Sequence, residues 1–363
     1  MSEIEERNKK VFLILEQFYK DAKGKKISDS FVESKLDVLF STSAWGFREI
    51  VFVVCVAMKL NKDFRASTAL YDCNPRALFE GPIKEFFIKN NFPHRQSGPL
   101  NVAKATKGLN NEWAIQRRPA DVAKVVVELV DYMEQDPAKR VDLVGILLCK
   151  KYISISKELK KLEITIAKNN DPIFLFDLCK ELITKTPDSG NTPQKIAGLL
   201  LKNYHLSMST GVVVTGLEDR ASVTSTTSKK PGDINEENKD GTIYKIYEIT
   251  VKPFDKARII DSCNCVNIYN SENGTNIKEI TVICRKEDCP SDMEPSGLNL
   301  YLGRFINENI VYYFWDLFEW VASMLQKSND NAKELFYKDL NDYINAINTN
   351  VEVKKLWQKL HNK

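Results

Sequence analysis

The chain has 363 residues, 43% of them hydrophobic and 28% charged, with a formal net charge of +3. That length buries a full core without disulfide or metal staples and leaves room for two domains, and the composition is that of an ordinary globular protein. A charge this small names no partner by itself, so any electrostatic signal has to be local.

The first 205 residues read as a helical domain. Ile4, Val11, Ile14, Leu15 and Phe18 fall on one helical stripe, and the N-terminus MSEIEERNKK carries charges of both signs instead of a targeting signal. A cytoplasmic location is expected. The longest apolar run, Ile50 to Met58, is nine residues, against the roughly 20 that cross a bilayer, so no membrane span is expected.

Residues 73–119 concentrate positive charge. From Arg76 to Arg118 there are eight Lys or Arg against three Glu, with Asn, Gln, Ser, Thr and Trp113 interleaved. The steps EGPIKEFF and SGPLNVAKATKG spend glycine and proline on shaped loops. Arg76, Lys84, Arg95, Lys104, Lys107, Arg117 and Arg118 are the candidates for contacts with double-stranded DNA. Lysine suits the phosphates, and arginine suits the guanine edge.

Helices resume at DVAKVVVELVDYM, after an Arg-Arg-Pro step, and continue in DPIFLFDLCKELI after an Asp-Pro step. NTPQKIAGLLLKNYH opens with Thr192 as the expected cap and Pro193 at the first helical position. The intervening TKTPDSGN reads as a domain boundary.

After His205 the pattern turns to alternation. TGVVVTG, GTIYKIYEITVK, IKEITVICRK and LNLYLGR read as strands; Asp255 caps a helix over KARIIDSCNCVNIYN; IVYYFWDLFEWVASML reads as one aromatic helix before a last helical segment. Eight cysteines without an export signal read as free thiols, and Cys263 and Cys265, two apart on a helix, point in different directions and make a poor zinc pair. No phosphate loop or dinucleotide fingerprint is present, so no nucleotide cofactor is expected. With three histidines, at 94, 205 and 361, a His-based triad is disfavoured, and the chemistry falls to carboxylates and lysine.

KKPGDINEENKDGTIYKIYEITVK supplies them. A hairpin would fold Asp233 back beside Glu248, and alternation would place Glu248, Thr250 and Lys252 on one face over about 13 Å. Adjacent carboxylates repel unless a cation lies between them. Oxygen-only ligation by one or two carboxylates suits Mg2+, so Asp233 and Glu248 are the expected metal ligands and Lys252 the charge beside the phosphate.

An aspartate, a spacer and a strand glutamate on a helix, three strands, helix, strand background resemble the PD-(D/E)XK nuclease superfamily. There the lysine stands two residues after the acid. Thr250 fills that place here, leaving Lys252, Thr250 as a water-orienting group, or Lys230 to do its work. YDCNPRALFEGPI, SGPLNVAKATKGLN, QRRPADVA and YEITVKPFDKARIIDS together resemble the SacI-like family of type II restriction endonucleases. The resemblance implies an α+β chain: a helical N-terminal domain over 1–205 and a nuclease-like core over 206–363, a mixed β-sheet flanked by helices. It implies a homodimer that cuts a short palindrome with Mg2+. A DNA-binding protein that keeps the fold without cleavage is the alternative.

Overall fold

The computed structural model describes residues 2–218 and 230–362. The chain is α+β and divides into two units between Lys161 and Leu162. The division falls earlier than the expected 205.

The first unit is helical. Its long helices are α1 (Glu3–Gly24), α2 (Ser30–Ser41), α3 (Gly46–Leu60), α4 (Ala120–Gln135) and α5 (Pro137–Lys160). The apolar stripe of α1 buries Val11, Leu15 and Phe18, while Ile4 stays exposed at the helix start. Helix α3 is buried from Gly46 to Met58, as a helix that is apolar all round must be. Short helical turns occupy 66–115. Asn74, at φ 49°, caps one of them by accepting from the Ala77 N–H, with Pro75 next to it.

The second unit carries the sheet. Helices α6 (Pro172–Lys185) and α7 (Asn191–Ser207) precede β1 (Val213–Thr215), β2 (Ile234–Glu237) and β3 (Ile243–Ile249). Then come α8 (Lys256–Asn273), β4 (Glu279–Cys284), β5 (Glu294–Pro295), β6 (Tyr301–Asn307), β7 (Ile310–Asp316), α9 (Leu317–Lys327), α10 (Asp330–Asn345) and α11 (Val351–His361). The strands order as β1-β2-β3-β4-β7-β6-β5. Pairing is antiparallel from β1 to β3, parallel from β3 through β4 to β7, and antiparallel again to β5. The β3–α8–β4 crossover makes the parallel step possible.

One sheet face presents Ile234, Tyr247, Ile249 and Ile283 to a core shared with Leu178, Leu182, Ile196, Leu200 and Trp320. This is why α6 and α7 belong to the sheet unit: without the strands their apolar faces would be bare. TKTPDSGN is accordingly a tight turn inside this unit and no domain boundary. The other face packs Ile246, Val282 and Phe314 against Ile259, Cys263 and Val266 of α8.

Two local expectations change. IVYYFWDLFEWVASML is β7 followed by α9, not one helix. Asp316 makes the break, accepting from the Phe318 and Glu319 N–H groups as the cap of α9. Tyr312 and Phe314 are buried in the sheet, and Phe318 and Trp320 fall on α9. Thr192 is not a cap either: α7 begins after Gly190, and the Thr192 hydroxyl donates to the Thr186 carbonyl at 2.7 Å.

Candidate active site

Asp233 directly precedes β2, whose first pair across the hairpin is Ile234 with Tyr247. Extending that register by one residue sets Asp233 opposite Glu248, the juxtaposition read from the sequence. Asp233 is half-buried, and its Oδ2 accepts from the Ile249 N–H at 2.9 Å. Gln194 on α7 donates to the Asp233 carbonyl at 3.4 Å. Gly216, at φ 93°, runs so close beneath that a Cβ there would lie 2.1 Å from the same carbonyl oxygen.

Glu248 is 7% exposed. Burial and the neighbouring Asp233 carboxylate raise its pKa well above the usual carboxylate range, and the Arg258 guanidinium offsets part of that. Burial likewise pushes Asp233 up to about 6, against the Ile249 N–H and Arg258. Two desolvated carboxylates set across one register position disfavour being charged together unless a cation compensates them.

The strand does not carry the rest of the expected face. Its last ladder bond is Thr250 N–H to the Ile283 carbonyl, at 3.0 Å, and the chain then turns. Thr250 Oγ1 makes that turn with the N–H and carbonyl of Lys252, both at 3.0 Å. Period-two alternation ends at Ile249, so Lys252 does not stand in line with Glu248. Lys252 is exposed, and with Asp233, Thr250 and Arg258 it lines a cavity of about 480 Å³ that Ser189 and Gly190 close from the start of α7. Lys230 is half-buried and is not among the lining residues.

Arg258 is the residue that the sequence reading missed. It sits in the first turn of α8, whose cap Asp255 accepts from its N–H at 3.1 Å. Its guanidinium donates to Thr250 Oγ1 at 2.6 Å, lies 3.9 Å from Glu248 Oε2 and stacks over the Phe254 ring at 4.8 Å. Three contacts fix one cation between the buried glutamate and the cavity. The signal was present: a cap at Asp255 puts the third helical residue beside the end of the preceding strand.

The basic residues of the first unit separate by what holds them. Arg76 is exposed and pairs with Glu80 at 3.6 Å; Lys84 hydrogen-bonds to Gln96; Lys104 and Lys107 are exposed. Arg117 turns inward to Thr106 Oγ1 at 3.1 Å, and Arg118 donates to the Ile115 and Arg117 carbonyls at 3.1 and 2.8 Å. Trp113 is core, 3% exposed, with its indole N–H on the Val102 carbonyl. Arg95 stacks on the Trp45 ring at 4.3 Å, and the buried Arg48 stacks on the same ring, also at 4.3 Å. The Arg95 N–H is held by the Glu49 carboxylate at 2.7 Å.

Among the described residues no cluster of three or more His, Cys, Asp or Glu gathers, and no helix is long and apolar enough to cross a membrane. No family model matches the chain, and no curated protein matches it in sequence.

Proposed function

We propose that this chain is a magnesium-dependent endonuclease of the type II restriction class, which hydrolyses phosphodiester bonds at a specific sequence in double-stranded DNA as a homodimer. The observation that carries the reading is the hairpin register that sets Asp233 across from Glu248 beside a cavity lined by two cations, Lys252 and Arg258. The order α7, β1–β2–β3, α8, β4, with β4 parallel to β3, supports it, because it is the element order of the nuclease core that the sequence resembles.

The donor set fits magnesium. Two carboxylates whose pKa values are raised by burial, and for Glu248 also by the Asp233 charge, gain from a divalent ion, and Mg2+ takes only one or two protein carboxylates. Asp233 and Glu248 would hold it; when bound, such an ion neutralises phosphate charge and lowers the pKa of a bound water. Arg258 holds the opposing charge for Glu248 and presents its other edge to the cavity, where a phosphate oxygen can accept. Lys252 adds a second, exposed cation at the cavity mouth. Thr250, bound to both Arg258 and the 252 backbone, keeps the two cations in register.

The test is incubation of the purified chain with a long unmodified duplex, with and without Mg2+. Discrete fragments only with the metal support the reading. Sequence-selective retention of the duplex without cleavage would replace it with a non-cleaving DNA-binding protein, and neither cleavage nor retention would remove both.

A further inference from the structure

The turn after β4 carries two thiols that the candidate site does not use. Cys284, the last residue of β4, is fully buried; Cys289 follows the single helical turn Lys286–Asp288 and is half-buried. Their sulfurs lie 3.7 Å apart in one S–H···S contact. Closing that gap to a disulfide bond takes a movement of about 1.7 Å.

The turn is pinned in this arrangement. Arg285 holds Asp288 with two hydrogen bonds, at 2.6 and 3.0 Å, and also donates to the Val251 carbonyl at 2.9 Å, while the Phe254 N–H donates to the Asp288 carbonyl at 2.8 Å. Thiols kept adjacent by four bonds lose little freedom on joining, which favours an intramolecular bond over two separate adducts.

The two sulfurs also differ in reactivity. The contact with Cys284 holds Cys289 below the ordinary thiol range, whereas the same contact and burial hold Cys284 above it. The more exposed thiol is therefore the more readily ionised, the arrangement in which an outer cysteine attacks and an inner one resolves.

We infer that Cys284 and Cys289 form a dithiol that oxidises reversibly to an intrachain disulfide, with a low-molecular-weight disulfide such as oxidised glutathione as co-reactant. The Cys289 thiolate attacks one sulfur of that disulfide, whose S–S bond breaks and releases one glutathione thiolate. That thiolate takes the Cys284 proton; the Cys284 sulfur then attacks Cys289 Sγ and expels the second glutathione. The protein loses two electrons, and two glutathione molecules leave reduced.

Trypsin cuts after Arg285 and Lys286, so the disulfide joins peptide 279–285 to peptide 287–304. The test treats the whole chain with glutathione buffers of rising oxidised fraction, blocks free thiols with N-ethylmaleimide and digests without reductant. The expected result is the joined pair, lost on reduction with dithiothreitol, while Cys73, half-buried with its thiol pushed up to about 12, is alkylated. Cys284→Ser should leave glutathione stably attached to Cys289. A stable glutathione adduct on Cys289 in the unsubstituted chain would overturn the inference, as would both peptides recovered alkylated in the most oxidising buffer. The mapping on the unsubstituted chain decides the matter even if Cys284→Ser does not fold.

Discussion

At the scale of single residues, the carboxylate pair makes a prediction that needs no substrate. A carboxyl whose folded pKa is raised binds its proton more tightly folded than unfolded, so its contribution to stability is lost as pH rises from the unfolded value through the folded one. For Asp233 that window runs from 3.8 to about 6, and Glu248 moves the same way. The metal-free chain should therefore lose thermal stability across it, and Asp233→Asn should flatten the decline. At pH 8 Asp233→Asn and Glu248→Gln should each raise Tm while abolishing cleavage, the trade expected of a strained site; a lower Tm in both would make the pair structural. The two cations make a ranking. Arg258 is tied to Glu248 and Thr250, so Arg258→Ala should lower the cleavage rate about 10²–10³-fold, the range for loss of one preorganised donor. Lys252→Ala should cost less, because Lys252 stands off the strand. The reverse order in single-turnover kinetics would return the role to the lysine. Among the arginines of 73–119, Arg76, Arg117 and Arg118 direct their guanidinium groups to Glu80, to the Thr106 hydroxyl and to backbone carbonyls, whereas Arg95, with its backbone N–H on Glu49, stacks its guanidinium on Trp45, a geometry in which the donor edge can still meet a base. Selection from a random duplex library in calcium should show Arg95→Lys losing preference at one base pair, with Lys104→Ala and Lys107→Ala weakening all duplexes alike. An unchanged selected sequence would move recognition away from this loop.

At the scale of elements, the parts of the site that were legible are those set by pairing and caps. Asp233 beside Glu248 follows from a hairpin whose turn is polar and whose strand alternates, and Asp255 as a cap follows from its place before KARIIDS. What failed was continuation and period. Thr250 and Lys252 look like two more strand positions, but the Thr250 hydroxyl closes a turn on Lys252 and Pro253 follows, so the ladder ends. IVYYFWDLFEWVASML is mostly apolar, and a nearly continuous apolar run has too little period for strand and helix to be told apart; Asp316, a capping residue with Glu319 three positions on, was the cue. Arg258 was legible only in the cap: with Asp255 as the cap, the first turn of α8 falls back on the end of β3, where Arg258 meets Thr250 and Glu248. The packing beneath the hairpin makes its own prediction. Gly216 combines a positive φ with a position where an added Cβ would meet the Asp233 carbonyl oxygen, so an alanine there is strained and has to push β2 aside. Gly216→Ala should lower stability by about 1–3 kcal/mol in urea unfolding and should lower cleavage beyond what the lost folded fraction explains. Full activity per folded molecule would mean that the carboxylate tolerates the shift.

At the scale of the whole molecule, the open question is how one chain with one pair of carboxylates would sever both strands. Duplex strands run antiparallel, so a palindrome presents the same phosphate twice about a twofold axis, and a protein dimer about the same axis meets both with identical geometry. The proposal of a homodimer rests on that symmetry and on no surface of this chain: the most aromatic run, IVYYFWDLFEWVASML, divides into β7, with Tyr312 and Phe314 inside the sheet core, and α9, with Trp320 buried. Two chains bound to one duplex should therefore be seen even if the free chain is monomeric. Light scattering on the free protein, and then on its complex with an uncleaved specific duplex in calcium, separates the cases. Two chains in both measurements describe a preformed dimer, and one chain free with two on the duplex describes assembly on the DNA. One chain per duplex under saturating protein would leave sequential nicking by a monomer, in which case a supercoiled plasmid should pass through an accumulated open-circular form before it is linearised. Direct linearisation, with no open-circular intermediate at protein concentrations above that of the sites, is the outcome expected of the dimer.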